Sequence, residues 1–262
     1  MTFTIIGSGN VATHLSLALS QNGHSILQVY SRNFNNAQTL ANKVAATAIK
    51  SLAEINPIVE TIILAVSDDA VKVVLKELSF IHSHNPIIIH TSGTLPITVL
   101  SAIAKNYGVL YPLQTFSKNV GINFLNVPLC VEANNEKTQQ ALLQIANSIS
   151  NLVYTINSHQ RKALHIAAVF ACNFTNYFYA IADNLLQQNQ LSFDMLKPLI
   201  NETANKIQIN APENVQTGPA KRNDKKVMEA HLSALSQQPN YQLLYRLISD
   251  EIVTKYKNQT DC

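Results

Sequence analysis

Charge is scarce in this chain. Of 262 residues only 13% are Asp, Glu, Lys or Arg, and the formal net charge is +3. So small and scattered a balance gives no basic face for nucleic acid, and no nucleic-acid partner is expected. Long apolar runs are missing as well: runs such as Thr61 to Val66 and Pro86 to Ile89 fall far short of the ~20 residues that cross a bilayer. A membrane role is therefore not expected. The first strand pattern opens at Thr2, which leaves no room for a charged and apolar leader. Cysteine is sparse, with Cys130, Cys172 and Cys262 widely spaced and forming neither a CxxC nor a Cys/His cluster of zinc spacing. That pattern fits reduced thiols, no metal site and a cytoplasmic protein. Seven glycines are few for this length, so a pair of them close together stands out.

What is present begins with that pair. Thr2-Phe3-Thr4-Ile5-Ile6 reads as a short strand, Gly7-Ser8-Gly9 as a turn, and Asn10 to Gln21 as a helix. In a dinucleotide-binding βαβ unit the first glycine permits the tight turn and the second lets backbone approach a pyrophosphate. The third position needs a small residue for helix and strand to pack. Gly7, Gly9 and Ala12 stand at those positions, and the N–H groups of Gly9, Asn10 and Val11 open the helix toward the phosphates. The next strand pattern, Ser25 to Tyr30, ends in Ser31-Arg32-Asn33. An NAD site places a carboxylate there for the ribose 2′-hydroxyl, whereas arginine suits a 2′-phosphate. With Ser31 and Arg32 and no acid, the reading is NADP; the plainer alternative makes Arg32 a solvated loop charge.

Short β-rich segments alternate with helical patterns to about residue 155, predicting a doubly wound, largely parallel sheet with helices on both faces. The strands are Thr2 to Ile6, Ser25 to Tyr30, Ala46 to Ile49, Thr61 to Val66, Pro86 to His90, Gly108 to Tyr111, Pro128 to Glu132 and Leu152 to Thr155. Between them, Asn35 to Val44, Asp69 to Leu78, Pro96 to Lys105 and Glu136 to Ser150 read as helices. From Ser158, a plausible N-cap, the pattern is helical only. This gives an α/β Rossmann domain at 1–156 and an all-α domain at 157–262.

Ligands in open α/β sheets bind beyond the carboxyl ends of the strands. Val66 and Ser67 stand there after the fourth strand and are candidates for the nicotinamide side, with Asp68 and Asp69 reading as helix caps. His90-Thr91-Ser92-Gly93-Thr94 follows the fifth strand, making Ser92 a substrate candidate unless it merely caps a turn. Tyr111 to Lys118 follows the sixth and either borders substrate or is a surface loop. In the long helix, His165, Cys172, Asn173 and Asn176 recur at spacings of seven, eight and eleven, one face at about 100° per residue. Reduction of a carbonyl or imine needs a proton donor beside the hydride acceptor. His165 and Asn173 are the catalytic candidates and Asn176 a substrate contact; the alternative is a buried stripe satisfied by hydrogen bonds. Thr217 to Asp224, with Lys221 and Arg222, is either a loop over an anion or a plain helix connection.

Taken together, the glycine turn, Ser31-Arg32, Leu64-Ala65-Val66-Ser67-Asp68-Asp69, His90-Thr91-Ser92-Gly93, Tyr111 to Phe116 and Thr217 to Asp224 resemble the bacterial Rossmann-like NADP oxidoreductases that carry a C-terminal helical domain of unknown function. Their overall plan is similar to that of pyrroline-5-carboxylate reductase and the 3-hydroxyacid dehydrogenases. The resemblance covers essentially the whole chain. It implies a helical domain that makes a homodimer interface and an active site in the cleft between domains. The hydroxyacid dehydrogenases use a lysine and an asparagine one helical turn apart; here Lys162 is followed by Ile166 where the asparagine would stand, so those roles do not transfer. The expectation is hydride transfer between NADP and a small carbonyl or imine compound. A non-catalytic NADP-sensing protein is the alternative, and a methyltransferase is disfavoured because the second strand ends in Ser31-Arg32 rather than an acid.

Overall fold

The computed structural model describes residues 1–78, 85–117 and 120–257. Eight strands form one sheet: β1 Thr2–Ile6, β2 Ser25–Tyr30, β3 Thr47–Ile49, β4 Thr61–Leu64, β5 Ile87–His90, β6 Asn106–Pro112, β7 Leu129–Ala133 and β8 Val153–Thr155. Their order is β3-β2-β1-β4-β5-β6-β7-β8, with every neighbour parallel except β6 and β7. The first six follow the doubly wound order, which reverses direction between β1 and β4 and opens a crevice there. Each expected strand is present, with ends shifted by up to two residues.

Helices α1 Asn10–Gln21, α2 Phe34–Lys43, α3 Asp68–Glu77 and α4 Glu136–Ile149 cover the sheet. One core layer joins Phe3, Ile5, Leu15, Leu19, Ile63 and Ile89 with α4; the other joins Ile6, Ile62, Leu64 and Ile88 with Val71, Leu75 and Leu78. β1, β4 and β5 are apolar on both sides because both sides are covered. The expected helix at Pro96 to Lys105 is only a 3-10 turn, Ile97–Leu100. Neither aspartate caps α3: its N-cap is Ser67, and Asp68 and Asp69 occupy the first turn, where negative charge meets the positive end of the helix dipole.

The long helix begins one residue earlier than expected. Asn157 is the N-cap of α5 Ser158–Ala168, forming a reciprocal capping box with Gln160, which places Ser158 in the first turn. A π-helical segment, Val169–Phe174, then leads into α6 Thr175–Gln188. By length and composition the whole run Ser158–Gln188 is long and apolar enough to cross a membrane. Counting uninterrupted apolar stretches missed this, since polar residues punctuate it. α7 Lys197–Ile209, α8 Lys225–Ala234 (N-capped by the Asp224 side chain) and α9 Pro239–Tyr256 complete the chain.

Two compact units result, Met1–Asn173 and Phe174–Cys262. The division falls after α5 rather than at 156/157 because Arg161 in α5 is buried in an ion pair with Glu132 of β7. The second unit has almost no interior of its own: from residue 174 onward Ala220, Ser249 and Tyr256 alone are buried among the described residues. Cys130 is buried and Cys172 exposed, both free thiols; Cys262 and Lys118 lie outside the described residues.

Candidate active site

The turn after β1 is fixed by sterics. Gly7 has φ +122°, and a Cβ there would sit 2.2 Å from the Ala65 carbonyl oxygen, so no other residue fits without moving β4's end. Its N–H donates to the Tyr30 carbonyl at 2.8 Å, tying the ends of β1 and β2. Gly9 is the N-cap of α1, without a side-chain cap and without an acidic residue in the first turn; nothing lies within 4 Å of where its Cβ would be. The helix thus presents unsatisfied N–H groups and a positive dipole end to open space, which suits a diphosphate.

Gly7, Ser8, Gly9, Ser31, Arg32, Val66 and Ser67 line one cavity of about 610 Å³ at the carboxyl edge of β1, β2 and β4. Six of the eight residues expected to hold cofactor line this cavity; Asn10 and Val11 do not. Ser8 Oγ donates to Ser31 Oγ at 2.9 Å, linking the two loops, and Arg32 is exposed. Asn10 and Val11 behave differently from expectation in their side chains. The Asn10 amide donates to the Phe116 carbonyl at 2.7 Å, and Val11 packs on the core. That Asn10 bond, with the His14 ring within hydrogen-bond distance of the Ser117 carbonyl and stacked on Phe116, binds the loop after β6 to α1.

A second cluster forms where α5 crosses the ends of β5 and β6. Tyr111 Oη and His165 Nδ1 are hydrogen-bonded at 2.9 Å, with the rings edge to face, 6.0 Å between centroids. His165 rests on Gly93, whose absent Cβ would lie 2.7 Å from Nδ1. Burial pushes the Tyr111 phenol up to about 12 and raises the adjacent Cys130 thiol, so both stay protonated at neutral pH. Ser92 Oγ accepts from the N–H of Thr94 and of Leu95. Ser92 therefore takes the turn-capping role, and it shapes the loop that carries Gly93. Thr94 in turn donates to Asp68.

Arg161, 1% exposed, holds this arrangement together. It pairs with Glu132, and its remaining donors reach the carbonyls of Ser92 and Leu95. Glu132 also accepts from the Ser158 N–H and hydroxyl, each at 2.9 Å. Arg161 and Glu132 were not among the residues expected at the site, since nothing in one sequence marks two isolated charges as partners. A signal existed in Arg161 itself, a cation on the face of α5 that repeats Leu164 and Ala168.

Asn173 does not join the cluster as expected, and Asn176 belongs to the other unit. The face shared by His165, Cys172, Asn173 and Asn176 assumed a continuous α ladder, but π geometry over Val169–Phe174 advances less per residue and breaks that phase. Asn173 is exposed inside the π segment with no hydrogen bond to His165, Tyr111 or Ser92, and Asn176 is exposed in the second unit. Lys221 lies over the Tyr256 ring at 5.3 Å, and Asp224 caps α8. The Thr217 to Asp224 segment is thus a helix connection.

Known proteins resemble this chain along nearly its whole length. A family model described as "NADP oxidoreductase coenzyme F420-dependent" matches residues 2–93, and one described as a domain of unknown function, DUF2520, matches residues 127–252. No curated protein matches the chain. Among solved structures, the putative NADP oxidoreductase of Bacteroides fragilis is 42% identical over 97% of this chain and 98% of its own, with a TM-score of 0.91. The chain belongs to this NADP oxidoreductase family. The family's fold extends further: a reductive aminase of Aspergillus terreus in complex with NADPH (14% identity, 97% and 94% coverage, TM-score 0.74) and a 1-pyrroline-5-carboxylate reductase of Streptococcus pyogenes (14%, 97% and 98%, 0.65) share it. As a member of the family the protein is an oxidoreductase, and its cofactor is NADP.

Proposed function

We propose that this oxidoreductase reduces a small carbonyl or imine compound with NADPH. The backbone of Gly7, Gly9, Asn10 and Val11 holds the diphosphate, Ser31 and Arg32 the 2′-phosphate, and Val66 with Ser67 the nicotinamide side. Bound NADPH supplies the hydride. His165 gives a proton from Nε2 to the acceptor's oxygen or nitrogen while Tyr111 keeps Nδ1 engaged and the ring aimed. The ring is half-buried, so it regains its proton from solvent. The observation that carries the reading is the meeting of Tyr111, His165 and Gly93 at the same sheet edge as the glycine turn.

The helical unit acts as a homodimer interface. Leu199 and Ile207 of α7 and Leu243, Leu247 and Ile248 of α9 are each about half exposed or more, large apolar side chains that gain by leaving water against a partner. A second copy of the same face would cover them with the symmetry usual for such assemblies.

The test is NADPH oxidation over a panel of cyclic imines, keto acids and aldehydes, with His165→Ala beside the native protein. Loss of roughly 100-fold or more in kcat with NADPH binding retained supports the proton role; turnover that survives the substitution removes it.

A further inference from the structure

Two cations stand by the corner where Ser31 and Arg32 line the cavity: Arg32 itself and Lys50, which comes from neither the glycine turn nor the end of β2 and packs on Phe34 just behind that wall. β2 and β3 are parallel and in register to Tyr30↔Ile49. Ser31 and Lys50 are the residues that directly follow this last pair. The Lys50 side chain folds toward this corner, its Nζ 5.2 Å from the centroid of the Phe34 ring. Phe34 opens α2 directly after Arg32 and the N-cap Asn33. Lys50 thus lies against the segment that Ser31 and Arg32 bring to the cavity wall.

Neither Arg32 nor Lys50 has a carboxylate within ion-pair distance among the described residues. The nearest acid along the chain, Glu54, is committed elsewhere: its carboxylate accepts from the Ser51 N–H at 2.8 Å in a capping box. α2 has no acidic residue in its first turn either. Two cations without a carboxylate partner thus stand by the Ser31 hydroxyl, a local charge balance that favours an anion.

We infer that Lys50 is a specificity residue for the cofactor, the second cation on the 2′-phosphate of NADP, delivered from the end of β3. This rests on the cofactor placement proposed above. Arg32 supplies a planar fork for two phosphate oxygens and Lys50 a compact point charge for the third. The Phe34 face holds the ammonium near this position before ligand arrives, which lowers the cost of ordering a flexible side chain on binding.

Calorimetric titration of the full chain with NADPH, NADH and the fragment adenosine 2′,5′-bisphosphate tests this without a substrate. Lys50→Gln is expected to weaken NADPH and the bisphosphate by roughly tenfold while leaving NADH unchanged, the size of effect that removing one charge-assisted hydrogen bond produces. Lys50→Arg should restore most of the preference. Equal weakening of NADPH and NADH, or an unchanged preference in Lys50→Gln, overturns the role of Lys50 and leaves Arg32→Gln to test the rest of the site. Native protein that holds neither nucleotide overturns both this inference and the proposed function.

Discussion

Replacing Glu132 by alanine should destabilise the sheet unit more than any other single truncation outside the apolar core. The carboxylate is 13% exposed and its partner Arg161 1% exposed, so the substitution strands a guanidinium in the interior with only the Ser92 and Leu95 carbonyls and the Ser158 hydroxyl for company. Breaking a buried pair from one side costs about 3–5 kcal/mol. The retained carbonyl bonds argue for the lower half of that range, and the orphaned Ser158 N–H and hydroxyl add about 1 kcal/mol more. For a unit of this size the change corresponds to a fall in Tm of roughly 10 °C. Arg161→Met should cost less, because Glu132 keeps its two bonds from Ser158 and retains some water. A double-mutant cycle, read by denaturant unfolding, should then show the Glu132→Leu, Arg161→Met protein recovering at least ~1 kcal/mol over the sum of the singles. Strict additivity would refute the argument that these charges act as one clasp. Hydrogen exchange supplies a second readout, since opening the clasp should speed exchange at Gly93 and Thr94, whose loop hangs from it.

Gly7→Ala forces a Cβ into the Ala65 carbonyl and a side chain into φ +122°; expect a folding cost of several kcal/mol or insoluble protein, with Gly9→Ala, which meets nothing, folding normally. Gly93→Ala drives His165 away from Tyr111, and the ¹⁵N shift of His165 Nδ1 should change as it does in Tyr111→Phe; unaltered shifts would contradict the contact. His90 is buried and its pKa is lowered to about 4, by desolvation first and the Arg161 charge second. The unfolded chain then binds a proton that the folded one refuses between about pH 6.5 and 4, so stability is full above that window and declines through it, by up to about 3 kcal/mol. His90→Gln should flatten urea midpoints measured at about pH 7 and about pH 4.5. Leu247→Asp places a charge on the exposed apolar face of α9 and should convert a dimer to monomer by light scattering; a native protein that is already monomeric ends that proposal.

Legibility in the sequence tracked the range of the interactions involved. Strand and helix periods are local, so β1 to β8 and the capped helices could be read directly, as could the glycine turn, whose requirement at Gly7 is set within its own loop and by one neighbouring strand. Helix-end details failed where two acceptors competed. Ser158 looked like the cap of α5, but Asn157 takes that place and Ser158 is held by Glu132. The face drawn through His165, Asn173 and Asn176 failed for a sharper reason. A single change of ladder to π geometry has no sequence signature, yet it re-aims everything after it.

The part of the site that sequence could not give depends on the one antiparallel pairing in the sheet. β5 and β6 are in register at His90↔Val109, and β6 and β7 at Val109↔Glu132 and Tyr111↔Cys130. Cross-strand partners share a face, and alternate residues along a strand do too, so His90, Val109, Tyr111, Cys130 and Glu132 all stand on one side. There Val109, Tyr111 and Cys130 pack with Leu164 of α5. Had β7 slipped by one residue against β6, Glu132 would face α4 and Arg161 would have no partner. The strand reversal therefore does more than close the sheet. It brings a carboxylate under the first turns of α5, which fixes the angle at which that helix leaves the sheet and hence where His165 meets Gly93.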